Sequence, residues 1–160
     1  MKKNVLIISI LLIFFMSFGC NKQFDETTIC EKYLPAVVEI KVCDEEDKAI
    51  GNATGTVISK DGLILTNRHV IQVYDFSSDD FILYENIYVR FYNETEYIKV
   101  DIISISDESD LALLQLDKET GCYFNIGSSE ELKYGQKIHT IGNGNGYGLA
   151  YINGNVAAPF

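Results

Sequence analysis

Short runs in which apolar and polar residues alternate dominate the chain beyond about residue 37, and they constrain its fold more than any other feature. In the first run, Val38, Ile40 and Val42 alternate with polar neighbours, which is the two-residue period of a strand with one buried face. Asp61-Gly62 separates two further apolar runs, and glycine tolerates the positive φ that tight hairpin turns need. Because no long amphipathic helix accompanies these runs, the pattern predicts an all-β barrel or sandwich.

The same periodicity predicts where the remaining strands and loops lie. Ten Tyr and nine Phe, a composition typical of β structure, are spread along these segments. Acidic and aromatic residues are mixed over 75–85, which predicts a surface loop, and 121–133 has the composition of a connector. Further strands are predicted at 56–58, 63–65, 87–91, 97–102, 111–116 and 138–141, and from residue 150.

The N-terminus has the composition of an export signal. Lys2 and Lys3 precede an apolar run that is too short to span a bilayer comfortably but suits a signal sequence. The run ends at Cys20, in a context that resembles a bacterial lipoprotein cleavage box, with an ordinary secretory signal and an uncleaved anchor as alternatives. We therefore predict a signal peptide over 1–19, lipid attachment at Cys20, a polar tether over 20–34, and a location on the extracytoplasmic face of a bacterial membrane.

The charge and the remaining cysteines limit the partners. The formal net charge of −10 argues against nucleic acid as a partner, because a phosphate backbone binds basic surfaces. Cys30, Cys43 and Cys122 form an odd set, of which Cys30 and Cys43 could pair, although sequence does not show their geometry. Since no two of them have metal-site spacing, we predict no metal and no cofactor.

Four segments together resemble one protein family. The segment 55–70 ends in Thr66-Asn67-Arg68-His69-Val70 and resembles the histidine-bearing hairpin of the HtrA (Do-like) group of trypsin-like serine proteases. In 107–116, Asp110 precedes a Leu-Ala-Leu-Leu run and resembles the aspartate strand of that group. The segments 134–143 and 154–158 resemble successive strands of its second barrel. The four motifs follow one another in the order of the family.

The resemblance implies a fold and a set of roles. The implied fold is a trypsin-like double β-barrel, with a complete first barrel over 35–120 and a partial second barrel over 121–160. His69 matches the general base and acid, and Asp110 matches the carboxylate that orients it, with Asp107 as the fallback. His139 matches no role and is predicted to lie at the surface. The implied activity is a serine endopeptidase that acts on polypeptides, in particular unfolded or misfolded proteins.

The third member of the catalytic triad is missing from the sequence. A trypsin-like nucleophile lies in a Gly-Asp/Asn-Ser-Gly-Gly turn, and the closest match, Gly127-Ser128-Ser129-Glu130, lacks the glycines that should follow. We therefore expect a fragment that has His69 and Asp110 without the serine, and that is inactive and poorly soluble alone. The alternative function is a non-catalytic lipoprotein that binds peptides or a partner protein. A metal site that uses His69 and His139 has no supporting ligand spacing.

Overall fold

The computed structural model describes residues 25–159 except 107 and 145, so the predicted signal segment, Cys20 and Asp107 lie outside the described residues. The all-β prediction is confirmed, because strands account for most of the regular structure. Within these described residues the helices are α1 (Glu26–Tyr33) and α2 (Arg68–Ile71), with 3₁₀ turns at Leu34–Ala36 and Ser129–Glu131. The strands are β1 (Val37–Cys43), β2 (Ala49–Val57), β3 (Leu63–Thr66), β4 (Gln72–Asp75), β5 (Asp80–Leu83), β6 (Asn86–Phe91), β7 (Ile98–Lys99), β8 (Asp101–Ile105), β9 (Ala112–Gln115), β10 (Lys137–Gly142) and β11 (Ala150–Asn155).

The main sheet has seven antiparallel strands in the order β7-β6-β1-β2-β3-β9-β8. β7 and β8 lie at its opposite edges, yet Val100 alone separates them in the chain. The sheet must therefore curl until its two edges meet, as in a small barrel. At this junction, the buried Val100 donates its N–H to the carbonyl oxygen of Ile87 at 3.0 Å. The single strand predicted over 97–102 is thus divided at Val100 between the two edges.

Aliphatic side chains from the inner face of the curled sheet fill the core. The predicted alternation of β1 is confirmed, because Val38, Ile40 and Val42 are buried while Glu39 and Lys41 are partly exposed. Other strands supply further buried side chains in the same way, which stabilises the sheet by the removal of apolar area from water. These include Val57, Ile64, Ile87, Val89, Leu114 and Leu116.

Part of the segment predicted as a polar tether, Glu26–Tyr33, forms the helix α1. The Tyr33 ring at its end stacks on the Phe124 ring with 4.9 Å between centroids. The Glu26 carboxylate forms an ion pair with Lys137 on β10. These contacts are far apart in sequence, which explains why the polar local composition did not indicate a helix. Within the described part of the chain, neither helix is long and apolar enough to cross a membrane.

The loop predicted over 75–85 is a hairpin made by β4 and β5, which pair with each other rather than with the main sheet. Its turn is closed by Asp75, whose carboxylate accepts hydrogen bonds from the backbone N–H and hydroxyl of Ser77 and from the hydroxyl of Ser78. The prediction of surface exposure is correct, since all four β5 residues are exposed. The sequence pattern did not predict that β4 and β5 pair, because acidic side chains interrupt the apolar alternation in this segment.

A second hairpin, made by β10 and β11, packs beside β1 and β2. It forms a separate two-stranded sheet and corresponds to the strands predicted at 138–141 and from residue 150. One face remains accessible, with Ile138 and Ile152 both exposed. The hairpin therefore forms one wall of a cleft against the curled main sheet.

Candidate active site

Strand pairing brings His69 and Asp110 together across 41 residues of sequence. β3 pairs antiparallel with β9, so that Thr66 at the end of β3 lies opposite Ala112 at the start of β9. His69 follows β3 on the single turn of α2, and Asp110 lies just before β9. The buried Ile71 anchors that turn in the core. The barrel connection therefore fixes the two side chains at one end of a shared strand pair.

The Asp110 carboxylate holds the histidine through both its backbone and its ring. Oδ1 accepts the backbone N–H of His69 at 2.9 Å, and Oδ2 lies 2.6 Å from its Nδ1. The Asn67 side-chain amide donates to the same Oδ2 at 3.1 Å and to the Asp110 carbonyl oxygen at 2.9 Å. The two predicted residues are thus brought together. Asn67 is an additional positioning residue. It belongs to the motif that ends the segment 55–70, but the sequence alone did not indicate its role.

These hydrogen bonds favour the ionised form of Asp110. The pKa of Asp110 is held below the ordinary value for an aspartate. The largest cause is the hydrogen bond from the backbone N–H of His69, followed by the hydrogen bond with the His69 ring, and Asn67 adds a smaller contribution. An ionised Asp110 assigns the proton of a neutral His69 ring to Nδ1 and leaves Nε2 free to accept one. This arrangement can perform general acid–base chemistry at Nε2.

The His69 side chain is 71% exposed and the Asp110 side chain is 48% exposed, so the pair is open to solvent. Beside it lies a concave cavity of about 270 Å³, lined by Val42, Ile50, Gly51, Asn52, Ala53, His69, Val70 and Tyr84. Most of this lining comes from β1, β2 and the residue that follows β5. A group that reaches His69 through this cavity would therefore lie against β2 and Tyr84.

Asn143 connects the second hairpin to the barrel next to this cavity. It is 3% exposed, and its backbone N–H donates to the Thr54 hydroxyl at 2.6 Å. Its side-chain Nδ2 donates to Glu39 Oε2 at 3.1 Å, and its side-chain oxygen Oδ1 accepts the N–H of Gly148 at 3.1 Å. Glu39 is also paired with Arg90. Asn143 received no role from the sequence, although a polar residue at the end of an apolar strand is a signal for such a contact.

The other candidate residues lie apart from the pair. His139 is half-buried rather than at the surface, and its Nδ1 lies 2.6 Å from the Tyr151 hydroxyl. It lines a separate cavity of about 810 Å³ between the barrel and the β10–β11 hairpin. In the described part of the chain, no serine hydroxyl hydrogen-bonds to His69, and Ser128 caps a 3₁₀ turn with its hydroxyl.

Cysteines and metal-binding side chains make no further site in the described residues. Cys30, Cys43 and Cys122 are free thiols, so the pairing of Cys30 with Cys43 that the sequence left open is not formed. Cys122 donates its thiol to the Lys32 carbonyl oxygen at 3.3 Å. Over 25–159, apart from 107 and 145, no three His, Cys, Asp or Glu side chains lie close enough together to hold a metal ion.

Comparisons with known proteins identify the family to which the chain is similar. The family described as "Trypsin-like peptidase domain" matches residues 53–159. A probable periplasmic serine endoprotease, DegP-like, of Pseudomonas fluorescens is 34% identical over 115 residues, which are 72% of this chain and 22% of that protein. Its counterpart in Hahella chejuensis is 32% identical over 111 residues, 69% of this chain and 21% of the relative. The chain thus spans about a fifth of the length of the curated relatives it matches.

Solved structures show the same fold. The HtrA-type protease AlgW, determined with a tripeptide, superposes with a TM-score of 0.66 at 22% sequence identity. The match covers 81% of this chain and 38% of that one. The predicted trypsin-like β-barrel fold is therefore confirmed.

Proposed function

Because this chain belongs to the trypsin-like peptidase family, in its HtrA-type group, we propose that His69 and Asp110 are the general base and the orienting carboxylate of a serine endopeptidase site. The observation that supports this proposal most directly is the double contact of Asp110 with the backbone N–H and Nδ1 of His69. That contact fixes the ring tautomer and orientation, which is the role of the carboxylate in a catalytic triad.

The chemistry proposed for this pair is proton transfer at Nε2. When a serine hydroxyl attacks a peptide carbonyl, Nε2 takes the hydroxyl proton and later gives it to the leaving amine. Asp110 stays ionised throughout and stabilises the charged imidazolium. The sequence contains no serine in the required Gly-Gly context, so we assign the general base and the orienting carboxylate of the site but not its nucleophile.

The proposed domain organisation follows the predicted boundaries. Residues 35–120 supply the first barrel with both members of the pair, and 121–160 supply strands of a second barrel. This division is supported by the separate sheet of β10 and β11, which packs against the first barrel through Asn143. In trypsin-like enzymes the active site lies between two such barrels.

Substrate and location are proposed from the relatives. The matching relatives are named as probable periplasmic serine endoproteases, and the AlgW structure contains a tripeptide. We therefore place this protein outside the cytoplasm of a bacterium, with polypeptides as substrates. Lipid attachment at Cys20 to the extracytoplasmic face of a membrane remains part of the proposal, together with a signal peptide over 1–19.

The test supplies the missing nucleophile. The whole 160-residue chain is joined to the part of a DegP-like relative that follows its matched segment, and the hybrid is assayed with casein. Hydrolysis is expected, with losses of roughly 10⁴-fold for Asp110→Asn and roughly 10⁶-fold for His69→Ala. His139→Ala serves as the matched control, because His139 lies in another cavity, and it should retain activity.

Two outcomes would contradict the proposal. If the His69→Ala hybrid hydrolysed casein as fast as the unmodified hybrid and the His139→Ala hybrid, His69 would not be the base. A folded hybrid, verified by circular dichroism, that binds casein without cleaving it would favour the non-catalytic peptide-binding protein instead.

A further inference from the structure

We propose that a groove that leads from His69 to the β1–β2 turn docks polypeptide segments rich in large apolar and basic side chains. Two adjoining concavities form this groove, which is called the hairpin groove. The first is the cavity beside His69, and the second, of about 600 Å³, is lined by residues of the β1–β2 turn and of β5. Ile50 and Tyr84 line both of them, so the surface is continuous.

The floor of the hairpin groove is apolar. Ile50, Ile82 and Leu83 line it and are 49%, 49% and 44% exposed, respectively. These three aliphatic side chains offer an accessible surface on which the apolar side chains of a bound polypeptide can pack. Within the described residues β5 pairs with β4 alone, so nothing in the barrel covers this patch.

The rim of the hairpin groove is acidic. Asp44, Glu45, Glu46 and Glu85 line the second concavity, and none of them forms an ion pair with any residue that the structure describes. The turn that carries three of these acids is ordered, because Asp44 Oδ1 accepts the backbone N–H groups of Glu46 and Lys48 at 3.0 and 2.9 Å. Its negative charge is therefore held in place.

Basic groups near the hairpin groove offset only part of this charge. Lys99 Nζ contacts the lining residue Asn86 at 3.0 Å, and Lys48 lies in the same turn as the acids. Together with the net charge of −10, the rim repels nucleic acid and acidic peptides and attracts lysine and arginine side chains. Lysine and arginine also have apolar stems that can pack on the floor while the charged group reaches the rim.

The substrate class follows from where the hairpin groove begins. If His69 is the general base, a substrate whose scissile bond reaches His69 extends along the groove on one side of that bond. This step depends on the proposed function, whereas binding to the groove does not. We infer that bound polypeptides place apolar and basic residues on that side.

The binding test uses the purified chain and short, fluorescently labelled peptides. A peptide of alternating leucine and lysine should bind, while peptides of alternating leucine and glutamate, or of serine and lysine, should bind much more weakly. The Glu45→Gln/Glu46→Gln double variant should bind the leucine–lysine peptide roughly 3- to 10-fold more weakly, because each exposed charge pair contributes little alone. Raising the salt concentration should reduce the difference between wild type and this variant, because salt screens exposed charges.

Matched controls separate the hairpin groove from general surface effects. Ile82→Ser should weaken binding several-fold, whereas Ile126→Ser, which changes an exposed isoleucine outside the groove, should leave it unchanged. Glu119→Gln likewise removes a carboxylate that does not line the groove. Equal affinity for the leucine–glutamate and leucine–lysine peptides, or wild-type affinity in the Glu45→Gln/Glu46→Gln variant, would refute this proposal.

The two proposals fail in different ways. If the DegP-like hybrid is inactive while the peptide preference and its loss in the variants hold, then the protease assignment fails and the hairpin groove stands. If the hybrid cleaves casein in a His69-dependent manner but cleaves leucine–lysine and leucine–glutamate sequences equally, then the groove proposal fails alone.

Discussion

Gly62 is the position at which the addition of one methyl group, as in Gly62→Ala, should most disturb the turn before the strand that leads to His69. It lies between β2 and β3 with φ +84°, and β3 leads directly to His69. A Cβ at this position would lie 2.5 Å from the carbonyl oxygen of Leu116 and 2.8 Å from that of Lys118. Both neighbours are backbone atoms, so they cannot move aside as a flexible side chain would.

The expected cost of Gly62→Ala has two parts. The positive φ costs an L-residue about 1–2 kcal/mol, and overpacking against fixed atoms costs about 1–3 kcal/mol. The lower entropy of the unfolded alanine chain returns about 0.4–1 kcal/mol. The free energy of unfolding should therefore fall by roughly 1–5 kcal/mol, a large fraction of the ~5–15 kcal/mol typical of a domain.

Two other glycines separate these contributions. Gly135 has φ +74°, and a Cβ added there would have no neighbour within 4 Å, so Gly135→Ala should cost the backbone strain of about 1–2 kcal/mol, less the same entropy return of about 0.4–1 kcal/mol. Gly121 has neither a positive φ nor a close neighbour, so Gly121→Ala should be neutral or slightly stabilising. Urea unfolding followed by far-ultraviolet circular dichroism measures all three variants. If Gly62→Ala unfolds at the same urea concentration as Gly135→Ala, the steric argument is wrong.

Two further predictions concern the site and its support. Asn143→Ala removes one of the two contacts of Glu39, which keeps Arg90, and leaves the Gly148 N–H without its acceptor. It should destabilise the protein by about 1–3 kcal/mol, and hydrogen exchange should accelerate in β10 and β11 before β1; unchanged exchange in that hairpin would contradict it. Asp110 should titrate below the ordinary range of an aspartate, and His69→Ala should raise its pKa toward that range, as carboxyl-carbon NMR can measure. Because the folded-state pKa is depressed, the stability from this contact is present above the unfolded pKa and is lost as the pH falls through the folded value; an Asp110 titration that is identical in both proteins would refute the contact.

Local patterns were sufficient to predict much of the fold. The alternation of Val38, Ile40 and Val42 identified β1, and the Asp61-Gly62 turn located the β2–β3 hairpin. These features depend on side-chain direction along one strand and on the φ of one glycine, both of which neighbouring residues determine. The order of the sequence motifs then indicated the family, and with it His69 and Asp110 as candidates.

The contacts that those residues make depend on the closure of the sheet. Asn67 and the backbone of His69 bind Asp110 because β3 pairs with β9 across five intervening strands, which no local pattern encodes. Asn143 contacts Glu39 across 104 residues for a similar reason. The hairpin groove likewise exists because the β4–β5 hairpin folds back beside the β1–β2 turn.

Most of the strands, the family, and the candidate base and orienting carboxylate could thus be predicted from the amino-acid sequence. Only the tertiary structure determines the orientation of the His69 ring, the attachment of the β10–β11 hairpin and the position of the charges around the hairpin groove. The physical reason is distance along the chain: periodicity reports which face of a strand is buried, whereas hydrogen bonds between remote strands depend on how the whole sheet closes.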